Sequence, residues 1–207
     1  MGVDVTNTET TPTRRRCTPR VRSLVLAVAV TLLIGTPGDA APPYTTVDMT
    51  IDLPDVTLID QDAQLVTLEE LVDGNEVVML DFIFGTCTTI CPILSAGFTN
   101  LQRRMGSGPG GPVLLSISID PEHDTPEIMT KYLKRYRAQP GWSFLTGDRD
   151  DIDKIMHAFD AYVPDKMSHQ PVTFIKAGAS NRWVKIDGLV STKDLLAELE
   201  KIRGDGS

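Results

Sequence analysis

Cysteine is scarce in this chain, with three among 207 residues, which excludes the multi-bridge framework of a small disulfide-stapled fold. Histidine is as sparse, also three, so a site built on imidazole has few donors to draw on. Basic residues are outnumbered, 20 against 28 acidic for a net charge of −8. That balance removes the electrostatic basis for broad nucleic-acid binding or for adhesion to an anionic membrane surface. The main apolar run, Leu24–Ile34, is about half the ~20 residues that a spanning helix needs. The glycine-rich stretch Gly106–Pro112 lacks the Lys-Ser/Thr pair of a phosphate-binding loop. No internal repeat is visible. What is there, 41% hydrophobic and 23% charged residues, is the composition of one ordinary globular domain with a sizeable core.

The first forty residues differ from the rest. Arginines at 14, 15, 16, 20 and 22 precede the short apolar run, and Gly38-Asp39-Ala40-Ala41 supplies small residues after it. This is the order of an export signal, so residues 1–40 are expected to be an export signal or an N-terminal membrane tether. Residues 41–54 then form a Pro-containing lead-in and 55–203 the domain proper. Without the first forty residues 15 basic and 25 acidic residues remain, a net charge of −10. Cys17 leaves with the signal, so the exported chain keeps Cys87 and Cys91 alone.

These two thiols stand in D-F-I-F-G-T-C-T-T-I-C-P, Asp81–Pro92. Val77–Phe84, broken only by Asp81, reads as a strand buried on both faces. Pro92 fits a helix only in its first turn, which places a helix start near Cys91 and Cys87 in the loop before it. Unpaired N–H groups and partial positive charge at a helix start favour thiolate over thiol.

The rest of the chain alternates. Val56–Ile59 and Leu65–Thr67 form a hairpin, and Thr67 with Glu70 forms a capping box for a short helix over 68–72. The strand over 76–84 and a helix over 91–105 follow. A strand over 113–119 and a helix from Pro126 to about Arg137 come next, then a short strand at Phe144-Leu145 and a helix over 150–162. The end is a loop over 163–170, a hairpin of 171–176 with 183–186, and a helix over 192–202. Buried strands alternating with helices predict an α/β fold whose ligand site lies beyond the carboxyl ends of the strands. The closing hairpin makes the sheet mixed and thioredoxin-like in outline, flanked by helices and extended by the N-terminal hairpin.

Two cysteines four apart can form an inert staple, cycle between dithiol and disulfide, or hold a metal. A staple closing so short a loop constrains little of the unfolded chain. A metal needs a third donor. His157 falls on an amphipathic helix and reads as a surface or boundary residue, and His123 lies in an acidic turn and reads as solvated or ion-paired. His169, in the loop before a β-prone run, can come beside the cysteine loop. Two thiolates and an imidazole make a soft set suited to copper(I). Met167 could add a thioether but reads better as packing on the domain, and Trp142 and Trp183 read as core or boundary residues.

Three segments carry a resemblance: F-G-T-C-T-T-I-C-P at 84–92, S-I-D-P-E-H-D-T-P at 118–126, and S-H-Q-P-V-T-F-I at 168–175. With L-I-D-Q-D-A-Q-L-V-T-L at 58–68, the chain resembles the Sco/SenC family. These are thioredoxin-fold proteins that bind copper and act in assembly of the copper centre of cytochrome c oxidase. The resemblance implies Cys87, Cys91 and His169 as copper ligands, and a periplasmic metallochaperone, soluble or tethered to the inner membrane. Its partner would be a copper-acceptor protein, an oxidase subunit, reached by ligand exchange between exposed soft donors. The competing expectation is a thiol-disulfide oxidoreductase that keeps the acceptor's cysteines reduced, with Cys87 attacking and Cys91 resolving. The chain departs from the family at Thr88-Thr89, where Pro-Asp is common, and at His123, where Arg is common. T-T-I-C-P also looks like the T-x-x-C of peroxiredoxins, in which Cys91 would attack peroxide, but Pro171 stands where the partner arginine is expected.

Overall fold

The computed structural model describes residues 43–205, so the expected export segment and Cys17 lie outside the described residues. The centre of the fold is β4 (Val77–Ile83), in which every residue is buried. Such burial requires cover on both faces and pairing on both edges. β4 runs parallel to β5 (Val113–Ser118) on one side and antiparallel to β7 (Val172–Ala177) on the other. β6 (Trp142–Gly147) continues the sheet beyond β5, and β8 (Arg182–Gly188) continues it beyond β7.

The N-terminal hairpin, β2 (Thr57–Asp60) and β3 (Leu65–Thr67), joins the sheet through β6, as a hairpin extension. With β1 (Tyr44–Thr50) at the far edge, the full order is β1-β8-β7-β4-β5-β6-β2-β3. Both halves of the predicted capping box are present: the Thr67 hydroxyl accepts from Glu70 N–H, and the Glu70 carboxylate accepts from Thr67 N–H. They open α1 (Leu68–Val72). Beyond it come α2 (Cys91–Met105), α3 (Pro126–Arg135), α4 (Arg149–Ala158) and α5 (Thr192–Asp205).

Three elements differ most from their expected bounds. Tyr44–Thr50, inside the expected lead-in, is β1, an antiparallel edge strand on β8. Its side chains are mostly exposed, so no alternation of apolar residues announced it; the neighbour's backbone supplies the reason to be extended. β6 is longer than Phe144-Leu145 because it pairs on both edges, with β5 and with β2. α4 stops at Ala158 instead of reaching 162, because Phe159 turns into the core and Asp160 takes a left-handed φ of 49°.

Strand register sorts the core into two faces. Asp81, Ser116 and Phe144 are paired neighbours and share one face. There Phe98 of α2 meets Trp142, and Tyr132 of α3 meets Phe144, both edge to face. On the other face Phe82, Phe159 and Phe174 form a ring cluster that extends to Trp183. Both tryptophans are therefore core residues, as expected. The carboxyl end of β4 opens onto the cysteine loop, and β5 ends nearby at the turn 119–125.

Candidate metal centre

The cysteine loop is held open by hydrogen bonds from outside it. Gly85 N–H donates to both carboxylate oxygens of Asp124, at 3.1 and 3.0 Å, and Ser118 Oγ donates to the same carboxylate at 2.5 Å. A Cβ at Gly85 would stand 2.6 Å from Asp124 Oδ1, so only glycine admits this approach. Asp124 is fully buried. Burial raises its carboxyl above the ordinary range, against the opposing pull of Ser118 and Gly85. Part of the D-P-E-H-D-T-P motif is thus a brace for the loop that carries the thiols.

α2 begins at Cys91 with Pro92 in its first turn, as the sequence predicts, and its free N–H groups are put to use. Cys87 and Cys91 are unbridged and hydrogen-bonded to each other. Burial alone would raise the Cys87 thiol. The Cys91 thiol, the N–H groups of Cys91 and Thr89, and the Thr89 hydroxyl (3.7 Å from Sγ) together hold it below the ordinary thiol range. Cys91 goes the other way. Burial, then the neighbouring Cys87 and the charge of Asp81, push its thiol far up, against an opposing hydrogen bond from Phe84 N–H. The two thiols are 8% and 0% exposed. This corrects the expectation of exposed donors: both cysteines are buried, and Cys87 is the less completely buried of the two.

Thr89 stands where the family commonly carries an acid, and it stabilises the Cys87 thiolate where an acid would oppose it. Thr89→Ala is expected to move the pH profile of Cys87 alkylation to higher pH, and Thr89→Asp to move it further. Iodoacetamide kinetics of the reduced protein check this; unchanged profiles would mean that the helix N–H groups alone set the thiol.

His169 closes a 3₁₀ turn (Lys166–Ser168) and is buried. Its ring donates to the Phe82 backbone, and Nε2 is buried with no partner. Nδ1 is therefore the donor and Nε2 keeps its lone pair, the tautomer arrangement that metal-binding histidines adopt. Burial holds its pKa below the ordinary value, so the ring is neutral and able to ligate at neutral pH. The structure places His169 beside Phe82, which leads into the cysteine loop. It does not bring Nε2 and both sulfurs within 4.8 Å of one another. Among the described residues, the group of three potential donors that does meet so closely is Asp120, Glu122 and His123.

That group is tied up in ion pairs: Asp120 with His123 and Lys166, Glu122 with Arg149. His123 is therefore ion-paired, as read from the sequence. His157 stacks on Tyr162 at 4.2 Å and is an exposed surface residue. Met167 does not pack on the domain. It is 75% exposed, because the 3₁₀ turn points it away from the core.

Several residues at the centre were given no individual role from the sequence: Asp81, Gly85, Asp120, Asp124 and Lys166. The motif 118–126 marked Asp120 and Asp124 as noteworthy, but not what they hold. A thiol pair at a helix start, together with a buried histidine that is held on the strand leading into the thiol loop and keeps one nitrogen free, is a soft donor set in which copper fits.

The SCO1/SenC family model matches residues 46–203. The chain belongs to the SCO1/SenC family. It is 34% identical over 137 residues to the SCO1 protein homolog of Bacillus subtilis, covering 62% of this chain and 69% of that protein. It spans about half the length of the rickettsial SCO2-like relatives, 48% for that of Rickettsia typhi. Among solved structures it is similar to BsSco, a member of the Sco family of cytochrome c oxidase assembly proteins studied for a disulfide switch. That match has a TM-score of 0.62 at 28% identity over 75% of this chain and 95% of that one. It is also similar to Arabidopsis thaliana ScoI with copper bound, at TM-score 0.57 and 26% identity over 72% and 96%. The SCO1/SenC assignment leaves the peroxiredoxin likeness without support, and the raised Cys91 thiol is the opposite of what attack on peroxide requires.

Proposed function

We propose that this protein is a periplasmic copper-binding metallochaperone that acts in assembly of the copper centre of cytochrome c oxidase. Cys87, Cys91 and His169 hold the copper, and ligand exchange passes it to an acceptor, an oxidase subunit. The observation that carries this reading is the buried, unpartnered Nε2 of His169, whose ring is held on Phe82 in the strand that leads into the loop of the unbridged thiols. The solved relative with copper bound supports the metal, and the Sco family name supports the pathway. Export and the periplasm rest on the residues 1–40 pattern alone; among the described residues no helix is long and apolar enough to cross a membrane.

The test is a copper(I) titration of the reduced protein against a competing chelator, alongside His169→Ala. Removing even an outer partner of a metal ligand costs about tenfold or more in affinity, so His169→Ala is expected to lose at least about that much. Unchanged affinity and coordination in the variant would sink the three-ligand reading.

A second reading rests on the unlike thiols. Cys87 is lowered and the less completely buried, while Cys91 is raised and fully buried, the division of labour of an attacking and a resolving thiol. In that role the Cys87 thiolate attacks an acceptor disulfide and releases one acceptor thiolate. Cys91, losing its proton, then displaces the second, leaving the acceptor reduced by two electrons and Cys87–Cys91 as a disulfide. Incubating the reduced, metal-free protein with a disulfide-bonded acceptor peptide checks this; no thiol release at a practical rate counts against it.

A further inference from the structure

Three segments meet at the centre: the cysteine loop after β4, the turn 119–125 after β5, and the segment 161–170 that carries His169. Lys166 touches all of them. Its Nζ is paired with Asp120 Oδ2 in the turn, and the same Nζ lies 5.5 Å from the centroid of the Phe84 ring in the cysteine loop. Its own carbonyl accepts His169 N–H at 3.3 Å. The anchor is firm, because Asp120 is 3% exposed and is held from its other side by His123 at 2.9 Å.

The segment's other holds are at its two ends, where Tyr162 stacks on His157 and the His169 ring donates to the Phe82 backbone. From Ala161 to Gln170 the one buried residue is His169 itself. A cavity of about 450 Å³ lies beside it, lined by Asp120, Arg149, Tyr162, Asp165 and Lys166 among others. Ala161 and Val163 pack partly buried against the core at its start, but from 164 to 168 the segment has no buried residue. Segments with few buried apolar contacts open locally at low free-energy cost, so a partly desolvated ion pair and a cation–π contact decide where such a segment rests.

We propose that Lys166 is the positioning residue for His169: by gripping Asp120 and Phe84 it sets where the 161–170 segment sits against the thiols and so presents Nε2 to the metal. This rests on the reading of Cys87, Cys91 and His169 as ligands. Lys166→Met keeps the apolar stem and removes the charge; Lys166→Arg keeps the charge.

Two measurements on the full chain test it. In the metal-free, reduced protein, amide exchange at 166–169 is expected to rise about tenfold in Lys166→Met, with β4 and α2 unchanged, and to return towards wild type in Lys166→Arg. With copper(I), Lys166→Met is expected to lose affinity by about the factor that His169→Ala loses. The double variant should be no weaker than His169→Ala, because both changes remove the same ligand. With copper(II), nitrogen hyperfine coupling should weaken in Lys166→Met and recover in Lys166→Arg. Wild-type exchange and affinity in Lys166→Met, or additive losses in the double variant, overturn the proposal. If His169→Ala binds copper as wild type does, the ligand reading fails, and the metal-free exchange experiment still decides whether Lys166 holds the segment.

Discussion

Asp81→Asn is expected to stabilise the reduced, metal-free protein by about 4 kcal/mol at pH 8, relative to any difference between the two proteins at pH 3.5. Asp81 is fully buried in the central strand, and neither carboxylate oxygen has a hydrogen-bond partner of normal length. Burial raises its pKa from 3.8 to about 7, the nearby Ser116 hydroxyl offsetting only part of the rise. A carboxyl with a folded pKa above its unfolded value binds its proton more tightly when folded. Its contribution to stability is complete below pH 3.8 and is lost as pH climbs through 7. Asparagine has the same shape and no proton to lose, so the variant escapes the loss.

Urea unfolding of both proteins at several pH values gives the difference directly, with other titrating groups cancelling. A difference that stays flat from pH 4 to pH 8 would show that Asp81 is solvated or paired in solution. The charge has a local consequence as well. It is one of the influences that keep the Cys91 thiol protonated, so Asp81→Asn should also let Cys91 ionise at lower pH, read by its alkylation in a Cys87→Ser background.

Phe82→Ala is expected to cost about 3–5 kcal/mol, a large part of the ~5–15 kcal/mol that holds an ordinary domain together. Phe82 is 0% exposed, and its ring meets those of Phe159 and Phe174 edge to face, each at 5.9 Å between centroids. Removing it leaves a hole between β4, β7 and the end of α4 that a central strand cannot move to fill. Because the Phe82 backbone also receives the His169 ring hydrogen bond, copper affinity should fall along with stability. Denaturant unfolding measures the first and copper(I) competition the second. A loss under about 1 kcal/mol would mean that the cluster repacks. Phe82→Ala with Phe159→Ala should cost less than the sum of the two, since each removes the same contact.

Much of the fold was legible because its signals are local. Pro92 announced the start of α2, Thr67 and Glu70 announced α1, and the unbroken apolar run 77–84 announced a strand buried on both faces. β1 was not legible, because an exposed edge strand has no apolar pattern and exists through its neighbour's backbone. The end of α4 was not legible either, since Phe159 continues the helical pattern of apolar residues while its ring is drawn into the cluster on the sheet. At the centre, Cys87, Cys91 and His169 stand out by donor chemistry. Asp81 read only as a break in an apolar run, and Lys166 was not singled out at all.

The sequence by itself determined the donor types, the thiol spacing at a helix start, the order of elements and the family to which the chain belongs, since these depend on residue identity and neighbours a few positions away. Tertiary structure alone decided how each donor behaves. The Cys91 and Thr89 N–H groups, the Cys91 thiol and the Thr89 hydroxyl converge on Cys87 and lower it, while burial, Cys87 and Asp81 raise Cys91. The Phe82 backbone takes one nitrogen of His169 and leaves the other free, and Lys166 bridges three segments. Burial and long-range hydrogen bonds set the charge, tautomer and position of a side chain, and those are written in contacts between residues tens of positions apart.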